Sequence, residues 1–260
     1  MSDRDPSRRP TKAERKEQAR LERDAIRQQM RRRKRTRTIG TVLVVLALVA
    51  VVVVFFALPP SDDPASDLPT PEVLLEQAAA QADAASCEDV RTIDPYGTDD
   101  QTHIGAPPFT ELPDLSTYPS TPPTSGPHDG TGTLPAGIYD SPPPMGRLLH
   151  SLEHGGTVIW YDLAAPSAEI QRIKDFYAQD VGDVAAGQDR VIIAPYDYEA
   201  GDGAGQLPAG TQMALVSWHR LQTCADPSLA VALDFTSRFS FPAALGREYE
   251  GEAPEPGGQM

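Results

Sequence analysis

Asparagine is absent from the 260 residues, and lysine occurs only four times. Without asparagine there is no N-glycosylation sequon. Cysteine occurs twice, at Cys87 and Cys224, with no CxxC pair, which excludes thioredoxin-type exchange. No glycine-rich stretch has a phosphate-binding context: GDGAG at 201–205 leads into Leu-Pro rather than a helix, and Asp202 would repel a phosphate. PTSGP at 123–127 lacks the strand–turn–helix setting of a nucleophilic serine. The scarcity of Asn and Lys beside abundant Ala, Asp, Arg, Gly and Pro points to a high-GC bacterial coding sequence.

Charge is also missing, completely, from one stretch. Residues 39–58 read IGTVLVVLALVAVVVVFFAL. Twenty apolar residues at about 1.5 Å rise span roughly 30 Å, the hydrocarbon thickness of a bilayer. A cleaved signal peptide has a shorter apolar region near the start and a small-residue cleavage site. Here 38 polar residues come first and FFALPP is a poor cleavage site, so the sequence predicts an uncleaved single-pass anchor. Residues 1–38 hold fifteen Lys and Arg against six Asp and Glu, a net +9. Cytoplasmic flanks carry the Lys and Arg excess, so the N-terminus is expected inside and residues 59–260 outside, at the plasma membrane.

The outer part carries eight basic and 31 acidic residues, a net −23. A domain so acidic is expected to avoid nucleic acid and anionic lipid. The basic tail suits anionic lipid headgroups or nucleic acid; the plainer alternative is a topology signal on a charged, partly helical tail. Both cysteines fall on the outer side, where an even count suggests a disulfide closing a loop of more than a hundred residues. An isolated pair of soft metal ligands is the alternative.

The outer part divides by composition. Residues 59–71 (PPSDDPASDLPTP) form a proline-rich stalk. Residues 72–247 are expected to fold, and 248–260 to be a disordered acidic tail. EVLLEQAAAQADAA (72–85) is a helix candidate. Residues 92–144 are rich in Pro, Gly, Ser and Thr with almost no apolar periodicity; because they hold two of the five histidines, they are expected to order against the domain. TVIWYDL (157–163), RVIIAPY (190–196) and TQMALVSWHRL (211–221) read as buried strands, the third antiparallel to the second. SAEIQRIKDFYAQD (167–180) places Ile170, Ile173, Phe176 and Tyr177 on one helical face, and PSLAVALDFTSRF (227–239) is a closing helix. This order predicts an α+β fold with a small mixed sheet, the proline-rich segment adding edge pairing or cover.

The chemistry-bearing side chains are His103, His128, His150 and His154. In HSLEHGG (150–156) the two histidines are four apart and share a helical face. His128 sits in PPTSGPHDG, a rigid irregular backbone suited to holding a ligand. Converging neutral imidazoles suit zinc, copper or nickel, and Met145 and Met213 offer thioethers for copper. Glu153 is a candidate general base beside a metal-bound water. Against a metalloprotease stand the Gly155-Gly156 pair, which limits the helix to two or three turns, and the lack of a downstream third carboxylate. The bland alternative for Glu153 is an N–H acceptor or histidine orienter.

PPTSGPH at 122–128, HSLEHG at 150–155 and the strand TVIWY after it resemble the membrane-anchored family called domain of unknown function 3105, widespread in actinobacteria. Its pattern implies Cys87, His103, His128, His150 with His154, Ser217-Trp218 and Cys224 as the matching positions. A glycine usually follows the tryptophan there, and His219 departs from that, so His219 is left out of the expected site. The resemblance implies topology and the importance of His103, His128, His150, Glu153 and His154, but no activity. Three functions are open from the sequence: an extracytoplasmic domain binding copper or zinc, a non-enzymatic envelope interaction module with structural histidines, and a metal-dependent hydrolase using Glu153.

Overall fold

The computed structural model describes residues 68–179 and 190–256. The predicted membrane span, the basic tail and most of the stalk lie outside the described residues. Among the described residues no helix is long and apolar enough to cross a membrane.

Among the described residues the architecture is α+β: one mixed sheet of six strands and four α-helices. The strands are β1 (Arg91–Thr92), β2 (Gly137–Ile138), β3 (Thr157–Tyr161), β4 (Val191–Pro195), β5 (Met213–Ser217) and β6 (Arg220–Cys224), in the spatial order β1-β6-β5-β3-β4-β2. Strands β3, β4 and β2 are mutually parallel, and the other pairings are antiparallel. Every residue of β3, β4 and β5 is buried, which explains their continuous apolar runs. Alternate residues feed opposite faces. Ile159, Tyr161, Ile193, Met213 and Leu215 join one core, under helices α1 (Pro71–Ala84), α3 (Ser167–Gln179) and α4 (Leu229–Phe239). Val158, Trp160, Ile192, Ala194, Ala214 and Val216 join the other, under α2 (Met145–Glu153) and the proline-rich segment.

Local chemistry accounts for the helices. Pro71 begins α1, where a missing N–H costs nothing, and Leu74 and Ala78 are its buried side chains. In α3 the four apolar residues expected on one face, Ile170, Ile173, Phe176 and Tyr177, are all buried in one cluster. Ser228 caps α4 by accepting the Val231 N–H. Gly155 stops α2 at φ +90°, a conformation that favours glycine, and a Cβ there would lie 2.5 Å from the Cβ of Phe241.

Three expectations need correction. The segment 211–221 is not one strand but the first arm and turn of a hairpin, β5–β6. The chain reverses at Trp218-His219, with His219 at φ +56°. No Gly or Asn marks this turn, so the sequence reads through it. Second, β5 runs antiparallel to β4 as expected but is not its neighbour: it pairs with β3, and β4 lies parallel to β3 on the other side. Third, the sheet has six strands rather than three: the second arm of the hairpin adds β6, the proline-rich segment adds β2 as the expected edge pairing, and the residues after Cys87 add β1. Those two-residue strands are too short for an alternation signal.

The acidic tail also differs. Residues 248–256, expected to be disordered, are placed against the domain: Glu252 pairs with His219 and Arg220, and the Glu255 N–H donates to the Glu153 carbonyl. These partners are remote in sequence, so composition alone suggests disorder. Cys87 and Cys224 are joined in a disulfide.

Candidate metal centre

Three stretches of backbone bring the site together. His103 and His128 lie in the proline-rich segment, which is ordered against the sheet through Leu115, Tyr118 and Leu134. A parallel bridge joins their loops, with the Ile104 N–H donating to the His128 carbonyl and the His128 N–H to the Thr102 carbonyl. The Tyr118 hydroxyl donates to the Pro127 carbonyl, fixing the PPTSGPH loop from behind. The third stretch is α2, which carries His150 and Glu153 in its last turn. The Asp129 N–H reaches the Gly146 carbonyl, and Ser151 Oγ bonds both the N–H and the carbonyl of Leu134, so α2 and the loop are locked together.

The result is a group of His103, His128, His150 and Glu153 whose potential ligand atoms all lie within 4.8 Å of one another. Glu153 Oε2 is 3.0 Å from His128 Nε2 and 3.6 Å from His103 Nε2. The ring centres of the three histidines are 4.9, 5.2 and 5.3 Å apart. His128, His150 and Glu153 are buried; the His103 side chain is 46% exposed and forms the open side.

Electrostatics fit a cation. Burial alone would raise the Glu153 carboxyl, but the hydrogen bond from His128 and the neighbouring imidazoles outweigh it and hold the group below its ordinary value. His150 is lowered, first by burial and then by the adjacent imidazoles, which disfavour its charged form. His128 Nδ1 stands 2.8 Å from the Gly126 carbonyl. A carbonyl only accepts, so Nδ1 carries the proton. The 3.0 Å contact of Nε2 with the Glu153 carboxylate is then bridged by a second ring proton, which is the hydrogen bond that lowers Glu153, or by a metal cation in its place.

His154 is adjacent to the group but outside it. Its Nε2 lies 3.0 Å from His150 Nε2 and 3.7 Å from Glu255 Oε2. The i, i+4 spacing does bring the two rings together, 4.8 Å apart. Glu153, weighed from sequence as a base, takes the fourth place in the group instead. Met145 and Met213 are core residues in opposite clusters and contribute nothing to the site. A separate cleft of about 470 Å³ lies at the other end of α2, lined by Pro144, Met145, Leu115 and Tyr198, and none of the histidines lines it.

Sequence reasoning missed His219. Its Nε2 is 2.8 Å from Asp100 Oδ2 and its Nδ1 is 3.1 Å from Glu252 Oε2. Burial opposes its charge, but the hydrogen bonds to Asp100 and Glu252 prevail and raise it. Asp100 is likewise raised by burial, but more strongly lowered by hydrogen bonds from His219, Ser125 and Tyr96. The partners are 119 and 33 residues away, a separation no local pattern reports.

One packing prediction follows from Gly130. A Cβ there would lie 2.5 Å from His103 Cγ and 2.7 Å from its Nδ1. Gly130→Ala should push the His103 ring aside and, if the group holds zinc, weaken its binding by about tenfold. Chelator competition checks this, with circular dichroism unchanged. Unaltered affinity would mean that His103 is not a ligand.

The family model described as "Protein of unknown function (DUF3105)" matches residues 114–253. His128, His150, Glu153 and His154 fall inside the match, and His103 precedes it. No curated protein and no solved structure matches the chain. A family match over more than half of the chain, on top of the two histidine motifs, places this protein in the DUF3105 family.

Proposed function

We propose that the chain is an extracytoplasmic metal-binding protein, holding one zinc or copper ion between His103, His128, His150 and Glu153 and tethered to the plasma membrane by residues 39–58. The observation that carries this reading is the contact between His128 and Glu153. With Nδ1 committed to the Gly126 carbonyl, the Nε2 lone pair faces a carboxylate oxygen at 3.0 Å. Two acceptors at that distance repel unless a second ring proton or a metal cation stands between them, and His103 Nε2, 3.6 Å from the same oxygen, favours the metal. Metal-ligating histidines commonly show this pattern, one nitrogen on the ion and the other donating to a backbone carbonyl.

The spacing supports it. Two atoms each about 2.0–2.1 Å from a tetrahedral ion stand roughly 3.3–3.4 Å apart. The 3.0 and 3.6 Å separations from Glu153 Oε2 bracket that value. The donor set is imidazole and carboxylate. Both cysteines are consumed in the disulfide and both core methionines lie elsewhere, which favours zinc or copper(II) over copper(I). Glu153 is 1% exposed and turned onto two imidazoles, which suits a ligand better than a base acting on substrate. If the histidines are only structural, as in an interaction module, the His128 ring needs a second proton to face Glu153.

The test is elemental analysis of the full-length protein, purified without a His tag. One zinc or copper ion per chain is the expected result. No retained metal, and no binding on titration at micromolar concentration, would overturn the assignment.

A further inference from the structure

We propose that Asp100, His219 and Glu252 are positioning residues for the metal centre, and that a single proton on His219 clasps the ligand-bearing loops to the C-terminal segment. The proposal rests on the metal reading above. Both ring nitrogens of His219 face carboxylate oxygens, Nε2 toward Asp100 at 2.8 Å and Nδ1 toward Glu252 at 3.1 Å. Carboxylates only accept, so both contacts require N–H and the ring must be an imidazolium. Arg220 completes the arrangement, one guanidinium nitrogen on Glu252 and another on the His219 carbonyl. The Ile93 N–H also donates to that carbonyl. Two carboxylates thus face two cations. Tyr249, whose hydroxyl is pushed up chiefly by burial, stays neutral beside Glu252.

Each arm of the clasp ends at the candidate site. Asp100 precedes His103 by three residues, and its side chain accepts from Ser125 Oγ and the Tyr96 N–H. Its carbonyl accepts the Gly126 N–H, two residues before His128. Trp218, next to His219, meets the His128 ring edge-on at 6.0 Å. Glu252 belongs to the segment whose Glu255 N–H donates to the Glu153 carbonyl. Removing the proton leaves one nitrogen with a lone pair facing a carboxylate and frees that arm.

The sign of the pH effect follows. A histidine raised in the fold contributes stability that is fully present below its ordinary value of 6.5 and lost as pH rises through the folded value. Simple competition between protons and a metal at histidine ligands gives the opposite slope, with affinity rising with pH. The clasp therefore predicts a distinctive profile in which zinc affinity falls above neutrality.

The experiment measures zinc affinity of the full-length protein by chelator competition from pH 6.5 to 9, for wild type, His219→Gln and Glu252→Gln. The same proteins without metal are followed by hydrogen exchange over residues 248–256. Wild-type affinity should drop about tenfold across the range beyond any change in the variants, the size expected for losing outer positioning contacts. Wild-type protection of residues 248–256 should fall in step, and both variants should be low and flat. Parallel affinity profiles in all three proteins would overturn the clasp while leaving the metal centre standing. Neither zinc nor copper bound by any protein at any pH would overturn both. A variant that fails to fold is recognised by its circular dichroism, and the other variant then decides.

Discussion

Full-length protein carrying His128→Ala is expected to lose zinc or copper by at least a hundredfold in affinity, and to be less stable by about 3–5 kcal/mol even without metal. The first effect removes the ligand with the closest contact to Glu153 and the best-fixed ring orientation. The second arises because His128 is fully buried, so truncating it leaves a cavity and removes the hydrogen bond to the Gly126 carbonyl. These effects are separable. His103 is half-exposed, so His103→Ala should weaken metal binding without the stability loss. His154→Ala, outside the group, should change affinity far less than either. Chelator competition reads the first quantity and urea unfolding of metal-free protein reads the second. Wild-type affinity in both His103→Ala and His128→Ala would remove the site altogether.

The second large effect is expected at the disulfide. Cys87 and Cys224 are 137 residues apart, and cross-linking so long a loop removes much of the freedom of the unfolded chain. Loss of such a link costs about 2–5 kcal/mol, and loops of this length lie toward the upper end. The paired replacement Cys87→Ala with Cys224→Ala is the cleaner test, since Cys224 is 1% exposed and a serine there would bury a hydroxyl. Urea midpoints should fall in the double variant, and a reductant should then have no further effect on it. Equal midpoints for wild type and double variant would mean that the link contributes nothing.

The α+β class, the long helices and the buried central strands were legible because each carries its own period. Ile170, Ile173, Phe176 and Tyr177 repeat at helical spacing, and TVIWY is apolar on both faces because both faces are covered. What failed was information held between distant residues. The β5–β6 turn uses His219 rather than a turn residue, and only Asp100 and Glu252 explain why the ring is held there. The site was half legible. The i, i+4 pair and the rigid proline loop single out His150 and His128, but the helix ends at Glu153, and that side chain faces His103 and His128 while His154 meets His150 alone.

That helix end has one more consequence. The carbonyls of Ser151 and Leu152 are taken by Gly156 and Gly155, as a glycine stop provides. Those of Glu153 and His154 are taken instead by the Glu255 N–H and the Arg190 guanidinium. A helix of nine residues has little resistance of its own to fraying. Unwinding the final turn would rotate Glu153 away from His150 and dissolve their three-residue spacing. The register of HSLEH is thus written partly in Arg190, 36 positions from the carbonyl it holds, and in Glu255 near the other end of the described chain, and shortening the chain before Glu255 amounts to shortening α2.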